Sequence, residues 1–287
     1  MALWSTSRRG YTISALTLAA ALGLSACGGG SGSGDTTATA SPGGATAASE
    51  AKLVTPGKLT TCTNIPYEPF QFKDASGKIV GFDVDVVDLV AKKLGVEQQI
   101  VDIDFAVIKS GAAMATNKCD VAAAGMTITD ERKQNITFSD PYFDATQALL
   151  AKKGTGATSL EDIKAKNLKL GAQASTTGLD YVKKQGFNPT EYADSAKELL
   201  ALQAGQADVI VQDLPVVLTW LKKPEIAEKF EMIASLDTGE QYGIGLKKNA
   251  DPVLLKTINE TLTAAKSDGT YEQIFVKWFG KKPGELS

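Results

Sequence analysis

Histidine is missing from all 287 residues. Its absence removes the commonest general base, the usual nitrogen ligand for zinc or copper, and every Ser-His or Cys-His nucleophile pair. Cysteine occurs only three times and forms no Cys-x-x-Cys, which leaves no zinc ribbon and no thioredoxin-like redox motif. A glycine-rich phosphate loop and a Gly-x-Ser-x-Gly elbow are also missing. No metal, no cofactor and no catalytic residue is therefore expected. Basic clusters are absent too. With 30 Lys and Arg against 33 Asp and Glu, the net charge is −3. That balance argues against nucleic acid and against general attraction to anionic lipid.

Long apolar runs are confined to residues 13–24, a stretch too short to span a bilayer comfortably. Arg8 and Arg9 precede it, and Leu24-Ser25-Ala26-Cys27 follows. Charge, then a short apolar segment, then small residues describe a secretory leader over 1–26. Leu-Ser-Ala-Cys resembles the bacterial lipobox, which implies that Cys27 carries a lipid and is the sole membrane anchor. Ser7-Arg8-Arg9-Gly10-Tyr11 loosely resembles a twin-arginine signal, so the general and twin-arginine export routes both stay open. Residues 27–56 are Gly, Ser, Thr and Ala with scattered charges. They bury too little apolar surface to offset the entropy of ordering, and a flexible tether is expected. Cys62 and Cys119 remain, and an exported pair invites a disulfide. Yet Cys62 falls near the end of one strand and Cys119 just before another. If those strands are parallel neighbours, their alpha carbons sit too far apart to bridge, so the pairing stays open.

Beyond the tether, strands and helices alternate. Lys58-Leu59-Thr60-Thr61-Cys62 reads as a strand, and Asp74 to Lys78 as a hairpin turn. Asp83 is placed to cap a helix that buries Val86, Val87, Val90 and Leu94 and ends at Gly95. A strand near 99–101, a helix over 108–116 and the strand Val121-Ala122-Ala123-Ala124 follow. The rhythm restarts after Lys153, with strands at 168–171 and 208–211 and helices at 178–184 and 194–204. Asp251-Pro252 opens a helix bearing Leu255, Ile258, Leu262 and Ala265, and a final amphipathic helix holds Tyr271, Ile274, Phe275 and Trp278. This is an α/β pattern of two units whose tail returns to the first. The expected architecture is two lobes, each a mixed, mostly parallel sheet flanked by helices, joined by two hinge strands. Lobe 1 takes 57–147 and 246–287, and lobe 2 takes 148–245.

Ligands in such sheets sit outside the C-terminal ends of the parallel strands. Asn64 and Tyr67 follow the first strand, and Phe105 comes after Asp104 at the end of another. Gly125, Thr127 and Arg132 follow the strand through Ala124. A guanidinium there suits a carboxylate, because its fork donates two parallel charge-assisted hydrogen bonds. The duller alternative is a surface ion pair. In the second unit Gln173, Thr176 and Thr177 stand at a helix start whose N–H groups favour an anion, and Gln212-Asp213 ends a strand. Asp213 has its own duller alternative, as a cap for the helix near Pro215. Together they complement a zwitterion. Arg132, Thr127, Thr176 and Thr177 would take an α-carboxylate and Asp213 an α-ammonium, with Tyr67 and Phe105 flanking the stem.

Gly81-Phe82-Asp83-Val84-Asp85-Val86, Gly125-Met126-Thr127-Ile128-Thr129-Asp130-Glu131-Arg132, Ala207 through Asp213, and Tyr242-Gly243-Ile244-Gly245 together resemble the bacterial extracellular solute-binding proteins for polar amino acids, family 3. The similarity runs from about Lys58 to Gly280. It implies a two-lobed type II periplasmic-binding-protein fold that closes on a free amino acid and delivers it to the permease of an ABC importer, as a monomer and without catalysis. The stretch Lys109-Ser110-Gly111 departs from the family's common pattern and puts the facing of Phe105 in doubt. Asn64 stands where some basic-amino-acid binders have an acid, and no second cation appears at the strand ends. Gln173 and Gln212 are the residues expected to reach beyond the α-carbon, and a neutral polar, glutamine-like ligand is expected. The same fold resembles dehydratases acting on cyclic carboxylic acids. Those need a general acid, and the cleft drawn here has no spare Glu.

Overall fold

The computed structural model describes residues 51–286. The expected leader over 1–26, the lipidation at Cys27 and the tether up to residue 50 lie outside the described residues. The end of that tether is fastened. Lys52 N–H donates to Asp251 Oδ2 at 3.0 Å and Val54 N–H to Asp120 Oδ1 at 2.6 Å.

The first lobe begins with β1 (Lys58–Thr63), a hairpin of β2 (Phe72–Lys73) and β3 (Ile79–Val80), α1 (Phe82–Leu94) and β4 (Glu97–Asp102). Two short helices, α2 (Phe105–Lys109) and α3 (Ala112–Ala115), lead to β5 (Val121–Ala122), α4 (Asp130–Lys133) and β6 (Ile136–Phe138). The long β7 (Phe143–Lys152) enters the second lobe. There follow α5 (Leu160–Ala165), β8 (Leu170–Gln173), α6 (Thr177–Lys184), β9 (Thr190–Tyr192), α7 (Ser195–Gln203), β10 (Val209–Asp213), α8 (Leu214–Leu221) and α9 (Pro224–Ala227). The return strand β11 (Phe230–Tyr242) precedes β12 (Gly245–Lys247), α10 (Pro252–Ser267) and α11 (Thr270–Phe279).

Two five-stranded sheets result, ordered β4-β1-β5-β12-β6 and β11-β7-β10-β8-β9. In each, one strand alone runs against the rest, β12 in the first and β7 in the second. β7 and β11 pair with each other along their length and are the two crossings between lobes. Both parallel sets aim their C-terminal ends at the same cleft. No helix among the described residues is long and apolar enough to cross a membrane.

An aromatic cluster fixes the first lobe to the crossings. Phe70 and Phe82, both with no exposed surface, pack with Phe143 of β7 and Phe279 of α11 at centroid distances of 5.0–6.1 Å. Edge-to-face contacts at such spacing add to the hydrophobic burial. Gly81 makes the close approach possible, since a Cβ there would lie 2.1 Å from Phe70 O.

Two local expectations give way, and one open question closes. Gly81, not Asp83, occupies the N-cap of α1. Asp83 points inward, where its carboxylate accepts from Gly125 N–H and from the Tyr142 hydroxyl, each at 2.8 Å. Burial pushes its pKa up to about 7. The helix expected over 108–116 is two pieces, broken where Gly111 turns left-handed at φ 78°. Cys62 and Cys119 do form a disulfide, with alpha carbons 5.7 Å apart. β1 and β5 are indeed parallel neighbours. However, Cys119 precedes β5 in the turn after α3, so strand spacing does not bind it, and the chain curls back toward Cys62.

Candidate functional site

At the cleft both lobes converge on one small cavity. Its walls include Asn64, Tyr67, Phe105, Gly125, Thr127 and Arg132 from the first lobe, and Gln173, Thr176, Thr177 and Asp213 from the second. Gln212 is the exception among the expected residues. In an extended strand neighbours face opposite ways. Gln212 turns from the cavity, donating to Glu198 Oε2 at 2.8 Å, with its Oε1 2.8 Å from the Tyr67 hydroxyl oxygen.

Arg132 emerges on the one-turn helix α4, whose cap, the Thr129 hydroxyl, accepts from Arg132 N–H at 3.1 Å. Arg132 is 6 % exposed. Nη1 donates to Thr127 O at 2.8 Å and Nη2 to Ser175 O, across the cleft, at 3.3 Å. It lies 5.5 Å above the Phe105 ring, which settles that ring's facing toward the cleft. Burial pulls its pKa down, and the negative charges of Glu240, Asp180 and Asp213 work against that. An arginine so placed keeps its charge.

Asp213 ends β10 at the head of α8 but makes no capping bond. Its Oδ2 accepts from the Tyr67 and Tyr242 hydroxyls, and its Oδ1 from Gln147 Nε2 at 2.5 Å. Burial raises its pKa, while those donors and Arg132 favour the anion. Both phenols are pushed well above their ordinary range, chiefly by burial and then by Asp213, and remain donors.

Threonine hydroxyls gather on the wall beside Arg132. Thr176 Oγ1 caps α6 by accepting from Leu179 N–H at 3.2 Å. Thr127 Oγ1 and Thr177 Oγ1 meet across the cleft at 3.2 Å. Gly125 sits at φ 55° beneath Tyr67, whose Cε1 would be 2.9 Å from an added Cβ. The lobes also touch where Ser195 Oγ donates to Pro66 O at 2.6 Å and Lys223 pairs with Glu68 at 3.0 Å. A positive and a negative group therefore face one enclosed space from opposite lobes, with hydroxyls and two aromatic rings between.

Sequence reasoning missed several residues. Gln71 and Ala124 line the cavity. Gln147 and Glu240 lie on the crossing strands, where Glu240 Oε2 accepts from Thr177 Oγ1 at 3.1 Å and Gln147 Nε2 at 3.3 Å. Glu198 is fully buried behind Gln212, its pKa raised well above the carboxylate range by desolvation. The cleft thus has two neighbouring carboxyl groups, Glu198 and Glu240, where none was expected, although neither reaches the cavity wall.

Two α/β lobes, two crossing strands and a charged cleft between them define the class of two-lobed solute-binding proteins. Residues 59–281 match the family model of the bacterial extracellular solute-binding proteins, family 3, and the chain belongs to that family. It is 33 % identical over 285 residues to the "Probable histidine-binding protein" of Neisseria gonorrhoeae, covering 96 % of this chain and 97 % of that one. It is 32 % identical over 213 residues to the ABC transporter glutamine-binding protein of Bacillus subtilis strain 168, covering 74 % and 77 %. An ancestral arginine-binding protein bound to glutamine superposes with a TM-score of 0.73 at 40 % identity, covering 79 % of this chain and 100 % of that one. All three are named as binding proteins.

Proposed function

We propose that this chain is the receptor of an ABC importer for a free amino acid with a neutral polar, glutamine-like side chain. The observation that carries the reading is the placement of Arg132 and Asp213, from different lobes, on one cavity. Arg132 with Thr127, Thr176 and Thr177 takes the α-carboxylate, and Asp213 takes the α-ammonium. Tyr67 and Phe105 enclose the stem. A ligand touching both lobes binds the closed form more tightly than the open one, and only that difference shifts the population. The closed receptor then meets a permease at the membrane, to which a lipid on Cys27 holds the exported protein. No bond is made or broken. Thermal-shift screening of the twenty amino acids tests the reading. The expected response is greatest for glutamine or a similar neutral ligand, and a response to arginine or glutamate alone overturns it. Conversion of a cyclic carboxylic acid by the purified protein would instead mark a dehydratase of the same fold.

A further inference from the structure

Two buried side-chain oxygens that lack a protein partner, Gln71 Oε1 and Gln173 Oε1, belong to residues on the wall of this cavity. Gln71 is 1 % exposed and Gln173 is 3 % exposed. Folded proteins keep few unmet buried acceptors, so each one asks for a donor.

The other end of its amide fixes which atom Gln71 presents. Nε2 donates to Asn64 O at 3.2 Å, while Tyr67 N–H donates to Gln71 O at 2.7 Å and Gln71 N–H to Tyr67 O at 3.0 Å. Turning the amide over would set Oε1 against the Asn64 carbonyl, acceptor to acceptor. Gln71 therefore keeps Oε1 free as an acceptor, with one of its two Nε2 hydrogens committed to Asn64 O. Asn64 commits one of its two amide hydrogens to Ile103 O at 2.9 Å. The charged groups on the wall, Arg132 and Asp213, are already assigned to the two ends of a zwitterion.

We propose that Gln71, with Gln173, reads the far end of the ligand side chain by accepting hydrogen bonds from it. The cavity then takes amino acids that end in N–H donors, a carboxamide or a guanidinium, and rejects the isosteric carboxylate. The inference rests on the amino acid-binding reading above. A carboxamide brings two N–H groups, one for each oxygen. A carboxylate sets an acceptor against Gln71 Oε1 and adds a further buried negative charge without a new cation. A thioether of similar length fills the space and leaves both oxygens unmet, and a site built for a polar contact discriminates strongly against such an analogue. Gln173 has no bond holding its amide in one orientation comparable to that of Gln71 with Asn64, so the discrimination falls mainly on Gln71.

Isothermal titration calorimetry of the purified protein with glutamine, arginine, glutamate and methionine tests this, alongside the Gln71→Met variant. Glutamine or arginine should bind wild type at least about 30-fold more tightly than methionine or glutamate. Gln71→Met should cut that preference by about 10-fold or more while methionine binding changes little. Methionine or glutamate binding wild type as tightly as both donors overturns the inference, as does an unchanged preference in a folded Gln71→Met. The wild-type comparison decides by itself if the variant does not fold. Arginine binding most tightly supports the role of Gln71 and overturns the neutral side chain proposed above. Binding of none of the twenty amino acids overturns the receptor reading and this inference with it.

Discussion

Removing the Cys62–Cys119 disulfide should lower the unfolding free energy by about 4 kcal/mol from chain entropy alone. The bond closes a loop with a sequence separation of 57 residues. Cross-linking a loop of that length withdraws roughly 14 cal/mol/K from the denatured ensemble, which is about 4 kcal/mol at 25 °C. Both cysteines are buried, at 0 % and 2 % exposure, in a cluster with Phe105, Ile108 and Met114. Cys62→Ala with Cys119→Ala therefore adds a packing loss of order 1 kcal/mol for each lost sulfur. Guanidinium chloride unfolding of the ligand-free wild type and double variant measures the difference, and the slope should rise in the variant as its denatured state expands. The site should feel the loss as well. β1 ends at the loop carrying Asn64 and Tyr67, and β5 leads to Gly125 and Arg132. A stability difference below about 1 kcal/mol, or two free thiols titrated in unfolded wild type from residues 51–286, would refute the reasoning.

Asp83 gives a pH dependence whose sign follows from its burial. Its pKa rises from 3.8 to about 7 on folding, so between those values the folded chain keeps a proton that the unfolded chain has released. Its contribution to stability is present below about pH 4 and is lost as pH rises through about 7, by at most about 4 kcal/mol. Asp83→Asn should flatten the decline in melting temperature across that window, and identical slopes in the two proteins would contradict the assignment. Gly125→Ala should weaken ligand binding by about 10-fold or more and cost about 1–2 kcal/mol of stability, because a side chain at φ 55° is strained and meets Tyr67 at 2.9 Å. Calorimetry and chemical unfolding check the two effects, and unchanged affinity would show that Tyr67 yields freely.

The two-lobed fold was legible because each lobe repeats strand and helix at ordinary lengths with ordinary caps, such as Asp194 before α7 and Asp251 before α10. Residues at the ends of parallel strands were legible for the same reason. Asp213 ends one apolar strand and Arg132 stands on the short helix after another, and topology sends both to a common cleft. Gln71, Gln147 and Glu240 were not legible, since they come from a hairpin lead-in and from the crossing strands. Nothing local says which face of a long antiparallel ribbon meets the cleft. Asp83 misled because an acid at a helix start ordinarily caps it, whereas here glycine makes the turn and the acid is drawn under Gly125. Gln212 misled by one residue, which in a strand is the difference between facing the cavity and backing it.

The central claim is that Arg132 and Asp213 hold the two ends of one zwitterion between the lobes. Calorimetric titration of the amino acid that gives the greatest thermal shift, into wild type, Arg132→Ala and Asp213→Asn, tests it most directly. Each substitution removes a charged partner from a buried contact and should weaken binding by about 2–5 kcal/mol, roughly 30-fold to several thousand-fold. Binding within a few-fold of wild type in either folded variant would contradict the clamp.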